Sequence, residues 1–173
     1  FALGYKKTGL GKRVSLVMIK YMGKSSLGLG YAVAFSDLVL SPFMPSNTAR
    51  SAGTIYPVAS NIPLIFDSTP EHEPRKLGAY ISWVAIATTC VTSSMFLTAL
   101  APNLLAVDLI NKGTGHMISW GAWASIMLPL MIPLFLLTPW LVYVVYPPTQ
   151  KTSPEAPAWA AEELKKLGGI TTK

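Results

Sequence analysis

From Met117 to Tyr146 the chain runs thirty residues without a charged side chain. A hydrocarbon core about 30 Å thick is crossed by about 20 apolar residues of helix. This stretch therefore predicts a membrane span. Trp120 and Trp123 stand near one end, and Trp140, Tyr143 and Tyr146 near the other. Trp123 to Trp140 covers roughly 26 Å at 1.5 Å per residue, and aromatic rings so spaced form the two interfacial belts. Pro129, Pro133 and Pro139 fall inside, where each removes a backbone donor and is expected to kink the helix.

The rest of the chain is of the same kind. Only 13% of its 173 residues are charged and 51% are hydrophobic, with a mean hydropathy of +0.42. Soluble domains carry about 25% charged residues, so the fold class is all-α integral membrane. The chain starts at Phe1, in what reads as the last turn of an apolar helix. Lys6, Lys7, Lys12 and Arg13 are not followed by a short apolar core and cleavage site, so they do not form a secretory signal. A fragment of a longer membrane protein is expected.

The net charge of +6 does not indicate nucleic acid, because the basic residues crowd at Lys6 to Lys24 without interleaved exposed aromatics. Cys90 lies alone in an apolar run, and His72 and His116 are isolated, so neither a disulfide framework nor a metal site is expected.

Six segments follow. Residues 1–24 hold the helix end and "KRVSLVMIKYMGK", where Val14, Val17, Met18 and Tyr21 recur at helical spacing, with Arg13, Lys20 and Lys24 opposite. That pattern suits a helix lying in the membrane interface, or a basic cytoplasmic loop. Residues 25–66 contain two apolar arms of about 15 to 17 residues, shortened by Gly28, Gly30, Pro42, Pro57 and Pro63, around "MPSNTAR". Such arms are too short to cross, which suggests a re-entrant hairpin, two tilted spans being the alternative. Irregular backbone at depth is tolerated only where protein or water surrounds it.

Residues 67–76 form a solvated loop. In residues 77–116, the uncharged stretch to about Leu97 can span, with Thr88, Thr89, Thr92, Ser93, Ser94 and Thr98 clustered in its second half. Pro102 should then interrupt the helix, which Leu104 to Ile110 resumes. Residues 117–146 are the continuous span. Residues 147–173 are a tail with an amphipathic helix, in which Glu162 and Lys166 are four apart.

Six basic residues lie in Lys6 to Lys24, two in the 67–76 loop and four in the tail; the opposite connection has Lys112 alone. The positive-inside rule puts the hairpin flanks and the tail in the cytoplasm.

No hydrolytic constellation or phosphate-binding glycine loop is present, so an enzyme is not expected. Chemistry is left to two discontinuities, Ser46-Asn47-Thr48 and Thr98 to Asn103. Broken intramembrane helices expose N–H groups that attract carboxylates and carbonyls that attract cations. An anionic substrate follows, with Na⁺ a second ligand through oxygens. Thr88 and Thr89 read as packing residues. Asp37 is costly in an apolar arm. It pairs with Arg50 across the hairpin, lines a cavity or lies near water. Arg50 itself reads as a snorkelling residue or as serving substrate or charge balance.

"MPSNTARSAGTIYPV" and "SSMFLTALAPNLLAV", with "GLGKRVSLVMIKYMGK" and the tail "APAWAAEELKKLGG", resemble the divalent anion:sodium symporter family over nearly the whole chain. The likeness is to its branch of bacterial citrate/succinate antiporters and plastid 2-oxoglutarate/malate translocators. It implies one inverted-repeat part of an elevator-type transporter and a homodimer of the full-length protein. A bacterial inner membrane is the expected location.

The resemblance also assigns Ser46, Asn47 and Thr48, with Thr98 and Asn103 of the unwound region, to a di- or tricarboxylate, and Arg50 joins them by its position immediately after the polar turn. If Na⁺ is the coupling ion, Ser46, Asn47, Ala99 and Asn103 serve it; no other cofactor is expected. Moving a dianion costs about 2.3 kcal/mol per charge per 100 mV. Arg50 as a fixed cation offsets that and favours obligatory exchange, with Na⁺ symport as the alternative. A reading of another class is a membrane assembly subunit whose polar turns only pack helices.

Overall fold

The computed structural model describes residues 9–168. The helix end expected at Phe1, Lys6, Lys7 and Lys173 lie outside the described residues. Within them the helices are α1 (Leu10–Met22), α2 (Ser26–Leu40), α3 (Asn47–Arg50), α4 (Tyr56–Ala59), α5 (Asn61–Leu64), α6 (Gly78–Met95), α7 (Ala101–Thr114), α8 (Trp120–Val145) and α9 (Glu155–Lys166).

α1 is helical as its spacing predicts, but its buried face is only partly the predicted one: Val14 and Met18 pack against the core. Gly11, Ser15, Leu16 and Ile19 are covered, while Val17 and Tyr21 are 36% and 72% exposed. The cause is packing on two sides, against α2 and α9. Thr54 of the return arm fills the space where a side chain at Gly11 would stand.

α2 runs through both glycines that were expected to shorten it. Ser25 caps it, its Oγ accepting from Gly28 N at 3.1 Å, an ordinary N-cap. Gly30 serves a close approach: a Cβ there would lie 2.1 Å from Tyr80 Oη. Close contact of this kind holds helices together in lipid, where apolar burial drives association weakly.

The chain reverses at residues 41–46 and returns as α3, a π-helical turn (Ser51–Ile55), α4 and α5. Pro57 explains the π turn. It has no N–H for the carbonyl four residues back, and Tyr56 N bonds Ser51 O, five back.

Both ends of this hairpin lie together. Ser26 N donates to Lys151 O and Ser153 N to Lys24 O, while Thr149 N and Gln150 N donate to Arg75 O and Lys76 O, each at 3.0 to 3.1 Å. The segment after α8 thus ties the start of α2 to the loop before α6.

α6 and α8 pack antiparallel. Tyr80, early in α6, donates to Pro139 O at 3.2 Å, and Trp123, early in α8, donates to Ser94 O at 3.1 Å. α8 stays helical through all three prolines. Among the described residues it is the one helix long and apolar enough to cross a membrane unaided, with a mean hydropathy of 2.0 and 17% of that window buried. α6 ends at Met95, short of Leu97, and its hydroxyl-bearing residues Thr88, Thr92 and Ser93 are buried.

Pro102 does not interrupt a helix but begins one, in the first turn of α7, where its missing N–H costs nothing. The break falls earlier, at Phe96 and Leu100, both extended, on either side of a 3₁₀ turn (Leu97–Ala99). α7 then runs beyond Ile110 to Thr114, ends on left-handed Gly115 (φ 73°), and buries no residue within this chain.

α9 lies on α1. Lys12 reaches Glu163 at 3.1 Å, and Arg13 Nη2 donates to Leu167 O at 2.8 Å. The Glu162–Lys166 pair suggested by spacing gives way to Glu163–Lys166 at 2.8 Å.

Candidate functional site

Arg50 is the largest fully buried side chain of the hairpin, at 0% exposure, and its guanidinium is saturated. Nε donates to Asp37 Oδ1 at 2.9 Å, forming an ion pair. Nη1 donates to Met44 O and Ala99 O, each at 3.3 Å. Nη2 donates to Thr92 Oγ1 and Ser93 Oγ, each at 3.2 Å, with Thr89 Oγ1 at 3.5 Å. Asp37 Oδ2 accepts from the Thr92 hydroxyl. An arginine has five N–H donors, and all five are used.

One side chain therefore joins the outgoing arm, the hairpin tip, α6 and the break after it. A buried guanidinium is tolerated only with such pairing. The row Thr89, Thr92, Ser93 supplies it because residues three and four apart share a helix face.

The end of α6 leaves carbonyls without helical partners, and their replacements can be named. Ser93 O accepts from Asn103 Nδ2 at 2.8 Å and Ser94 O from Trp123 Nε1. Phe96 O accepts from Asn103 Nδ2 at 3.1 Å and Ala99 N at 3.0 Å. Ala99 O takes Arg50. Thr98 Oγ1 donates to Pro42 O at 2.8 Å and receives Trp120 Nε1 at 3.4 Å. The break and the tip are thus bound to each other twice, through Arg50–Ala99 and Thr98–Pro42.

The opposite side of the tip is open. Ser46 caps α3, its Oγ accepting from Ala49 N at 3.3 Å. Asn47 Oδ1 accepts from Thr48 N at 2.8 Å, which sets the amide plane. Asn47 Nδ2 has no protein partner among the described residues. Ser46 and Asn47 are half-buried and Thr48 is exposed. The tip presents the Asn47 amide N–H pair and the hydroxyls of Ser46 and Thr48, the latter bonded weakly to Asn47 Oδ1 at 3.4 Å, donors suited to an anion's oxygens.

The residues singled out by sequence fall into two groups. Ser46, Asn47 and Thr48 form the open face. Arg50, Thr98, Ala99 and Asn103 hold the scaffold beneath it: the Ala99 carbonyl and both Asn103 amide hydrogens are committed to protein. No hydrogen bond joins Asn47 or Thr48 to Thr98 or Asn103 among the described residues.

Thr89 and Thr92, whose hydroxyls surround Arg50, were not legible as a set. Their spacing to Ser93 was the available signal. Thr88 Oγ1 is buried without a partner. A pocket of about 320 Å³ between the return arm and the start of α6, lined by Tyr56, Ser60, Ser68 and Ser82 among others, includes no tip residue. Among the described residues no cluster of three His, Cys, Asp or Glu is placed to hold a metal ion.

Residues 1–173 match the family described as the sodium:sulfate symporter transmembrane region. The L-tartrate/succinate antiporters of Escherichia coli and Shigella flexneri are each 49% identical to the chain over 174 residues, covering 100% of it and 36% of either antiporter. The chain spans about a third of the length of these curated relatives.

Proposed function

Because this chain belongs to the sodium:sulfate symporter transmembrane family, a family of membrane transporters and not of enzymes, we propose that it is the first-repeat part of a carboxylate exchanger. The substrates are di- or tricarboxylates of the succinate, tartrate, citrate, malate and 2-oxoglutarate class. Half-identity to tartrate/succinate antiporters supports that class.

The observation that carries the reading is the division of labour at the tip. Arg50 and Thr98 fix the reversal to the broken helix, which leaves Ser46, Asn47 and Thr48 free to meet a ligand. In this reading the tip is half of the carboxylate site, and the matching half comes from a second repeat. The hairpin is re-entrant: the 15 residues of α2 fall short of a crossing, and both hairpin ends share one side. That side is cytoplasmic by its Lys and Arg content. The full-length protein works as an elevator-type homodimer in a bacterial inner membrane.

Asp37 favours one second reading. Its carboxylate already balances Arg50, so Arg50 supplies no net cation to offset a dianion, and the charge argument from Arg50 to exchange no longer holds. Na⁺-coupled symport supplies the cation instead, and exchange rests on the relatives.

Proteoliposomes of the full-length protein separate the two readings. Exchange requires internal succinate and ignores the Na⁺ gradient. Uptake that needs Na⁺ and no internal dicarboxylate rejects exchange in favour of symport.

A further inference from the structure

The last turn of α8 carries Tyr143, and Tyr146 follows directly after its final residue. A cation lies over each ring. Arg75 Cζ is 4.8 Å from the Tyr146 centroid and Lys151 Nζ is 4.7 Å from that of Tyr143, within cation–π range. Backbone bonds from Thr149 and Gln150 to Arg75 and Lys76 bring the two cations to the same end of the fold. Lys76 is paired with Glu73 at 3.3 Å. Among the described residues, neither Arg75 nor Lys151 has a carboxylate partner, and both are exposed. An aromatic face attracts a cation without cancelling its charge or accepting its N–H groups in the ring plane.

Beside them lies a groove of about 330 Å³ walled by Trp83, Leu141, Val142, Val145 and Tyr146. Its walls are almost wholly apolar, and Trp83 and Val145 are 60% and 78% exposed. Tyr146 belongs both to the groove and to the Arg75 contact. The groove opens on α8, the helix long and apolar enough to cross a membrane.

We infer that this groove and the two cations form a binding site for one anionic glycerophospholipid. An acyl chain fills the groove, and the phosphate takes the free N–H groups of Arg75 and Lys151. Basic pockets at the ends of membrane helices recognise anionic headgroups in this way. A zwitterionic lipid carries its own cation to the same place and meets repulsion from both. A carboxylate substrate has the charge but no use for the apolar walls.

The test is native mass spectrometry of the full-length protein, titrated with phosphatidylglycerol or phosphatidylcholine of the same chains. The wild type retains phosphatidylglycerol preferentially. R75Q/K151Q weakens that retention about five-fold for each cation removed, leaves phosphatidylcholine unchanged, and keeps the unfolding midpoint in lipid-free detergent. R75K/K151R retains the preference. If the double variant is poorly produced, either single substitution reads the about five-fold loss of one cation. Equal retention of the two lipids, or retention unaffected by R75Q/K151Q, overturns the site. A loss of dimer mass with unchanged lipid adducts overturns it in favour of a second copy as occupant.

Discussion

Arg50 Nε lies 2.9 Å from Asp37 Oδ1, thirteen residues back along the chain, with side-chain exposures of 0% and 4%. Two opposite charges buried together hold the hairpin closed at its tip, and each makes the other's burial tolerable. Removing one partner strands the other, which costs about 3 to 5 kcal/mol, whereas replacing both by apolar groups is often neutral. Asp37→Ala and Arg50→Met should each lower the unfolding midpoint of the full-length protein sharply. The double variant Asp37→Leu/Arg50→Met should lie closer to wild type than either single one. A double variant as unstable as the sum of the singles would show that the two act independently.

Asn103 and Asn47 carry the same side chain in opposite circumstances. Asn103 Nδ2 serves Ser93 O and Phe96 O; Phe96 O keeps Ala99 N, so Asn103→Ala leaves the Ser93 carbonyl without that partner, at about 1 to 3 kcal/mol. Loss of thermal stability together with transport is expected. Asn103→Asp should be worse, since it turns a carboxylate toward two carbonyl oxygens.

Gly30 meets Tyr80 with no room for a methyl group. Gly30→Ala should cost about 1 to 3 kcal/mol by overpacking, measured as the denaturation midpoint. The cost should shrink in a Tyr80→Phe background, which removes the nearest atom while giving up the bond to Pro139. An equal cost in both backgrounds would place the strain elsewhere.

α9 should loosen from α1 as pH falls. Hydrogen bonds from Lys166 and Lys12 hold the Glu163 carboxyl below its usual value, and Glu163 raises Lys166. A depressed carboxylate contributes stability above its unfolded pKa, and loses it as pH falls through the folded one. A raised lysine contributes below its unfolded pKa, and loses it as pH rises through the folded one. The Lys12–Glu163 contact that docks α9 is therefore full above the ordinary Glu value and lost as pH falls, while the Glu163–Lys166 pair within α9 is strongest between the ordinary Glu and Lys values. Lys12 and Lys166 are exposed and Glu163 is half-buried, so salt should weaken these pairs. Hydrogen exchange of α9 against pH, for wild type and Glu163→Gln, reads this directly.

These dependences show which parts of the fold the sequence could announce. The uncharged run and aromatic belts of α8 were legible because one helix suffices to state them. The polar reversal at "MPSNTAR" was legible as a discontinuity for the same reason. The face α1 buries was not, because it is set by two partners, one of them 140 residues away. Gly30 looked like a helix breaker until Tyr80 was placed against it. Pro102 marked a discontinuity correctly, but a proline is as content in a first turn as it is disruptive in a middle one. Asp37–Arg50 was foreseen as one of several uses for two costly charges. That Thr92, Ser93, Met44 and Ala99 complete the shell, and so take Arg50 away from the open face, depends on distances that no spacing rule contains.

The central claim is that the open face of Ser46, Asn47 and Thr48 is half of a carboxylate site. Succinate exchange by full-length Asn47→Ala in proteoliposomes tests it most directly. Asn47 Nδ2 supports nothing in the fold, and the Thr48 N–H that Asn47 Oδ1 accepts at 2.8 Å belongs to an exposed residue that water can serve, so the variant should lower the unfolding midpoint only slightly. Loss of a hydrogen bond to a charged ligand, about 1.5 to 3 kcal/mol, should raise the apparent KM for succinate about ten-fold or more. A stable Asn47→Ala protein with unchanged succinate KM and exchange rate would contradict the account.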